Sequence, residues 1–166
     1  MTLPTSTHYD KLIARAQTLE PAFCAIAHPC DEPSLSAALE ARDLGLLHPI
    51  LVGPEKKIRD TAAQFKLNLG DARIVDVPHS HAAAETAVAL VRNGEATLLM
   101  KGSLHTDELM HEVVARTTGL RSGRRISHVF IMEVPTYAEP LFITDAAINI
   151  FPDLETKADI IRNVID

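Results

Sequence analysis

An α/β fold, with helices covering a parallel sheet, is predicted by three observations. Residues 22–27 are a short continuous apolar run, 49–53 and 96–100 are similar short, mainly apolar stretches, and Arg73-Ile74-Val75-Asp76-Val77 reads as a further strand, the pattern of strands in a buried parallel sheet. Segments with apolar residues at helical spacing separate them. Each connection holds one helix and little else, so the chain returns to the same end of the sheet and neighbouring strands pair in parallel.

The elements follow in order. Residues 9–20 carry Leu12, Ile13, Ala16 and Leu19 at helical spacing before Pro21, which predicts an N-terminal helix. The run 22–27 ends at His28-Pro29 and is the first strand. Asp31, Glu32 and Pro33 open the next helix, Leu35, Ala38 and Leu39 form its buried face, and Gly45 supplies a left-handed terminus. After the strand 49–53, Pro54 opens a helix with Ile58, Ala62 and Phe65 on one face, and residues 73–77 form the third strand. A helix over 82–92 packs Ala84, Val88 and Val91 and stops at Gly94, and 96–100 is the fourth strand. A helix near 107–116 follows.

The rhythm then changes. Residues 126–134 and 141–144 are apolar segments joined by six residues, Pro135 to Pro140, too few for a helical crossover, so an antiparallel hairpin is expected as an edge. Asp153 caps a last helix whose expected face is Leu154, Ala158, Ile161 and Ile165. With no repeat or linker, residues 1–166 are expected to form a single α/β domain: a parallel α/β/α sandwich with an antiparallel edge.

Composition narrows the function classes. The chain has 166 residues, 46% of them hydrophobic, with net charge −6, 4% aromatic residues and no Trp, which argues against a module that stacks bases or covers phosphates along a nucleic acid. No apolar stretch is long enough to span a membrane. The first residues lack the pattern of a signal peptide, so a cytoplasmic location and reduced Cys24 and Cys30 are expected. Neither a zinc-protease helix nor a paired CxxC accompanies the eight His residues, and no metal is expected.

Ligands of parallel α/β sheets gather at the carboxyl ends of the strands. The strongest candidate there is Met100-Lys101-Gly102-Ser103-Leu104-His105-Thr106, where a buried strand meets a helix start. Gly102 permits close backbone approach, Ser103 or Thr106 can cap the helix, and Lys101 adds positive charge, so a phosphate would find amides, dipole and ammonium together. The same residues also describe an ordinary capped turn. Arg116, Arg121, Arg124 and Arg125 form a basic island with no acid between Glu112 and Glu133. Its guanidinium groups suit a polyphosphate, or pair with acids elsewhere. Asp145 and Asn149 follow the last strand and either contact a substrate or organise a turn.

Three blocks carry a resemblance: Leu99-Met100-Lys101-Gly102-Ser103-Leu104-His105-Thr106, the stretch Gly119-Leu120-Arg121-Ser122-Gly123-Arg124-Arg125-Ile126-Ser127-His128, and Thr144-Asp145-Ala146-Ala147-Ile148-Asn149 with Phe151-Pro152-Asp153-Leu154 after it. From about His8 onward the sequence resembles the phosphate acetyltransferase and phosphate butyryltransferase family, nearer the butyryl branch and its copies fused behind a MaoC-like hydratase domain. The resemblance implies acyl transfer between coenzyme A and inorganic phosphate, in a fold similar to one domain of the isocitrate/isopropylmalate dehydrogenase superfamily. It implies that Lys101, Gly102, Ser103 and Thr106 line the acyl-phosphate end of a cleft, with Ser127 and Asn149 at other cleft-side positions. Arg121, Arg124 and Arg125 would assist coenzyme A, which is a substrate, and no permanently bound cofactor is expected.

The family's Ser-Arg pair and proposed Asp base have no counterpart before Asp166. The resemblance therefore implies an N-terminal portion, inactive alone, with no catalytic base among its residues. A homodimer is expected, with no nucleic-acid or membrane partner. The alternative is a non-catalytic anion-binding or interaction domain that retains half of a cleft. A dehydrogenase-like enzyme is disfavoured, because neither GxGxxG nor a cluster of spaced acids is present.

Overall fold

The computed structural model describes residues 7–166. Its contacts divide the chain into two compact units, Ala16–Arg121, and Ser122–Asp166 with the residues before Ala16.

The first unit is the α/β body. It holds β1 (Ala22–Ala27), α2 (Glu32–Asp43), β2 (Leu47–Gly53), α3 (Glu55–Gln64), β3 (Arg73–Asp76), α4 (Ser80–Arg92), β4 (Leu98–Lys101) and α5 (Thr106–Val113). The four strands run parallel in the order β3-β2-β1-β4. Successive residues of a strand face opposite ways, and here each face has its own core. Cys24, Ile26 and Leu51 pack under Leu35, Leu39, Ile58 and Ala62 of α2 and α3. Ala25, Ala27, Ile50 and Val52 pack under Ala83, Ala84, Ala87 and Val88 of α4, where Leu104 and Leu109 join them. Each fully buried Leu or Ile contributes about 2–3 kcal/mol by leaving water.

The helix ends obey local chemistry. Asp31 caps α2 by accepting from the Ser34 amide, and Gly45, at φ 71°, closes it with its amide on the Arg42 carbonyl, 2.8 Å away. His79 caps α4 through Nδ1, which accepts from the Ala82 amide at 3.2 Å. The fourth strand begins later than its apolar run, because Ala96 is still held by the Leu90 carbonyl as α4 unwinds.

The second unit contains α1 (Thr7–Ala16), β5 (Val129–Met132), β6 (Leu141–Thr144) and α6 (Leu154–Ile165). Strands β5 and β6 pair antiparallel, as the short connection requires, and make a two-stranded sheet of their own. His8 ties α1 to this hairpin: its amide donates to Glu133 Oε1 at 3.3 Å, and its Nε2 lies 3.1 Å from the Ala138 carbonyl. The helix stops at Ala16 rather than near Glu20, where the Leu19 amide turns back to the Ala16 carbonyl at 3.0 Å.

The last helix differs from its apolar periodicity. Asp153 caps it as expected, accepting from the Thr156 amide at 2.8 Å, but the buried residues are Thr156 and Ile160. Leu154, Ile161 and Ile165 are 85%, 56% and 76% exposed. The polar side chains decide the orientation. Asp159 Oδ2 accepts from the Arg125 amide at 3.3 Å, and Asn163 Nδ2 donates to the Arg125 carbonyl at 2.9 Å and to Ser127 Oγ at 2.8 Å. These bonds turn one face of α6 toward the incoming 124–127 segment.

Two substitutions separate the packed faces from the exposed one. Leu51→Ala is expected to destabilise by about 2–5 kcal/mol, read from the urea midpoint. Ile161→Ser is expected to stay within about 0.5 kcal/mol of the parent. A large loss from the second change would mean that the apolar face of α6 is the packed one.

Candidate functional site

The strand order itself selects a position. From β1 the chain steps outward to β2 and β3, then crosses back to β4 on the other side of β1. The topological switch therefore lies between β1 and β4, and the connections after them lead to α2 on one face and α5 on the other. In open α/β sheets this is where ligands bind. Lys101, Gly102, Ser103 and Thr106 stand at the carboxyl end of β4, beside His28 at the end of β1.

Gly102 has a steric reason for being glycine. Its amide donates to the Ala27 carbonyl at 2.8 Å, and a Cβ at this position would lie 2.5 Å from both the Ala27 and His28 carbonyl oxygens. No side chain fits between these backbones. The Ser103 amide then donates to the His28 carbonyl at 2.9 Å, and the hydroxyl does the same at 2.9 Å while accepting from the Cys30 amide at 3.2 Å.

Lys101 folds over its own turn. Its Nζ donates to the Leu104 carbonyl at 2.8 Å and to the Gly102 carbonyl at 3.3 Å, which leaves one of the three ammonium protons for another acceptor. Neither Ser103 nor Thr106 caps α5. Thr106 is already its first residue, and Glu108 reaches back to accept from the His105 amide at 2.8 Å. That bond, with one from Ser80 Oγ at 2.9 Å, holds the Glu108 carboxyl below its ordinary range, and His81 lies 3.1 Å away. The α5 terminus thus keeps outward-facing amides at Thr106 and Asp107, as the first turn of any helix does.

His28 and Cys30, which the sequence does not single out as phosphate-site residues, also meet this turn. His28 is buried and left-handed, with φ 54°, and its Nδ1 lies 2.9 Å from the Ser103 carbonyl. The available signal was a histidine directly at the end of a buried strand; its partner lies 75 residues away. Burial pushes the Cys30 thiol up to about 11, with Lys57 lowering it and Asp31 raising it, so at neutral pH it is a thiol and not a thiolate.

The other expected residues lie in the second unit, except Arg121, which is exposed at the end of the first. Arg124 pairs with Asp166 at 2.6 Å, an exposed ion pair worth less than about 1 kcal/mol. Arg125 and Asn149 share a cavity of about 350 Å³, lined also by Phe151, Pro152, Asp153 and Thr156. Ser127 is held by Asn163. Asn149 donates through Nδ2 to the Ile126 carbonyl at 3.0 Å and to Asp145.

Asp145 is the hub of this loop. Its carboxylate accepts from the amides of His128 at 3.2 Å, Ile148 at 3.1 Å and Asn149 at 2.9 Å, and from the Asn149 side chain. Desolvation is the largest single influence and raises its pKa, but the bonds from Asn149, Ile148 and Ala147 together outweigh it and hold the group at about 2. Among the described residues no group of three or more His, Cys, Asp or Glu side chains converges as metal ligands would, and no helix is long and apolar enough to cross a membrane.

Residues 78–166 match the family model described as phosphate acetyl/butaryl transferase. The chain belongs to that family. The match takes in the β4–α5 turn, the arginine island and the Asp145 loop. Phosphate acetyltransferase of Rhizobium meliloti is 66% identical over 158 residues, 95% of this chain and 50% of that protein. Phosphate butyryltransferase of Clostridium beijerinckii is 35% identical over 160 residues, 96% of this chain and 53% of its own. The chain thus spans about half the length of these relatives. In fold it is similar to a phosphotransacetylase crystal structure from Streptococcus pyogenes, with a TM-score of 0.77 at 19% identity, over 95% of this chain and 56% of that one.

Two tests follow from the geometry. Gly102→Ala is expected to cost at least about 2 kcal/mol, because backbone must move, whereas an unchanged denaturation midpoint would mean that the β1–β4 approach is looser than described. The Asp145 carboxyl, depressed to about 2 from 3.8, contributes stability that is present above about pH 4 and lost as pH falls toward 2. A carbon-13 titration of its carboxyl should show a midpoint near 2, and one near 4 would sink the clasp.

Proposed function

We propose that this chain is the N-terminal portion of a two-domain phosphate acyltransferase, which moves an acyl group between coenzyme A and inorganic phosphate to give an acyl phosphate. The observation that carries the reading is the family match over residues 78–166. Acetyl is placed first among acyl groups because the relative at 66% identity is named for acetyl transfer and that at 35% for butyryl.

In the direction of acyl phosphate, a phosphate oxygen attacks the thioester carbonyl, the carbon–sulfur bond breaks, and the coenzyme A thiolate leaves and takes up a proton. The demand on the protein is to hold a phosphate dianion against a carbonyl that becomes an oxyanion. Lys101 supplies one uncommitted N–H, and the Thr106 and Asp107 amides supply oriented donors at a positive helix end. Gly102 supports this reading by keeping side chains out of the approach.

Coenzyme A carries its own phosphates. Arg125 offers a guanidinium in a cavity that also exposes the Phe151 ring, 96% accessible, and Arg121 and Arg124 add positive charge along the same segment. No residue of this chain is assigned as catalytic base. The active protein in this reading is a cytoplasmic homodimer that uses coenzyme A as a substrate and holds no permanent cofactor.

The test is thiol release from acetyl-CoA and butyryl-CoA in the presence of phosphate or arsenate, by a longer protein that contains this chain. Phosphate-dependent release is expected, and its absence would end the assignment. Lys101→Met is expected to raise the KM for phosphate about 10-fold or more, equivalent to about 1.4 kcal/mol. The 166-residue chain alone is expected to bind phosphate without turnover; robust turnover by it would refute the portion reading.

A further inference from the structure

The Ser103 hydroxyl, the most obvious phosphate donor of the turn, is already spent. It donates its one proton to the His28 carbonyl at 2.9 Å, accepts from the Cys30 amide at 3.2 Å, and stands 3.2 Å from His28 Nδ1. A hydroxyl has one proton and two acceptor positions: the proton is engaged, and the Cys30 amide and His28 Nδ1 face the acceptor side with protons they share with shorter bonds. Nδ1 also lies 2.9 Å from the Ser103 carbonyl oxygen. A carbonyl only accepts, so the ring carries its proton on Nδ1. The His28 carbonyl in turn accepts from the Cys30 amide at 2.8 Å and the Ser103 amide at 2.9 Å.

We propose that His28 and Ser103 act as one positioning device for the Lys101–Thr106 turn, and that the Ser103 hydroxyl does not touch the anion. The inference rests on the reading of that turn as the phosphate site. Its physical content is a chain of constraints. The ring fixes the carbonyl and hydroxyl of Ser103, Ser103 fixes the path from Gly102 to Leu104, and the carbonyls of Gly102 and Leu104 aim the Lys101 ammonium. Phosphate is then met by that ammonium and the α5 amides. The left-handed backbone of His28, φ 54°, places its ring and carbonyl on the same neighbour, and few other residues adopt it without strain.

The test uses the 166-residue chain, titrated with inorganic phosphate and followed through the amide shifts of Leu104, Thr106 and Asp107. His28→Gly keeps the left-handed backbone and removes the ring. His28→Asn and His28→Asp both tolerate that backbone, but only Asn offers an N–H for the Ser103 carbonyl. His28→Gly, His28→Asp and Ser103→Ala are each expected to weaken phosphate about 10-fold, and His28→Asn less than about 3-fold. Residues that act as a unit are not additive, so the His28→Gly/Ser103→Ala double variant should weaken it little more than either single. Hydrogen exchange at the Ser103 and Cys30 amides should speed up in the Gly and Asp variants and recover in Asn.

Two independent losses that multiply to about 100-fold would make Ser103 a direct ligand and overturn the proposal. So would Asp and Asn variants alike in phosphate affinity and amide protection, a comparison that remains readable where the glycine variant fails to fold. A parent chain that shows no phosphate-dependent shift would instead overturn the reading of that turn as the phosphate site. Amide protection lost in Asp and kept in Asn would then retain the positioning device, and equal protection would remove it too.

Discussion

The approach of two backbones at Gly102 is the constraint on which the carboxyl end of the sheet depends. A Cβ there would sit 2.5 Å from two carbonyl oxygens, well inside contact distance, so the position admits hydrogen alone. Burial of Ile26, Leu51 or Leu35 stabilises the body by more, at about 2–3 kcal/mol each, but burial is non-directional and would tolerate many paths for the chain leaving β4. The Gly102 contact tolerates few. Because Ala27 and His28 present their carbonyls to Gly102 and Ser103, the ends of β1 and β4 are stitched together at the point where the chain reverses its order across the sheet. Lys101 before the stitch and Leu104 after it are placed as a result, one at the strand end and the other in the α4-side core.

Much of this was legible because the period of the apolar pattern switches between strand and helix. The buried runs at β1 and β2 could be read as strands covered on both faces, and the structure divides their alternate residues between two cores. The strand-to-helix turn at Lys101-Gly102-Ser103 was legible from residue type at a strand end. The direction of the serine hydroxyl was not, since its partners are 73 and 75 residues away in sequence and no local pattern encodes them. His28 was opaque for the same reason. A histidine after a strand reads as a turn residue until its ring is seen against Ser103.

The second unit shows where periodicity misleads. In α6 the apolar spacing points to one face, while Asp159 and Asn163 bond segment 124–127 and turn Thr156 and Ile160 inward. Hydrogen bonds to a backbone that has no other partner can orient a helix as firmly as a hydrophobic stripe. The arginine island was legible as a local excess of charge, yet its members differ. Arg124 is engaged by Asp166, and Arg125 shares a cavity with Asn149. Asp145 organises its loop, the plainer of its two sequence readings: its bonds to Ile148 and Asn149 are local Asx-turn chemistry, whereas the one from the His128 amide spans 17 residues and has no local signal.

The position of the switch also bears on the order in which the body is built. The β1–β2 and β2–β3 pairings each join strands separated by one helix, whereas β1 meets β4 only after the whole intervening chain has been laid down. Loop-closure entropy grows with separation, and non-local pairings are the slow ones. The stitch between His28 and Ser103, 75 residues apart, therefore carries a larger loop-closure cost than the β1–β2 and β2–β3 pairings. The β4–α5 turn takes its shape from that long-range pairing, so its geometry depends on the fourth strand having joined the sheet.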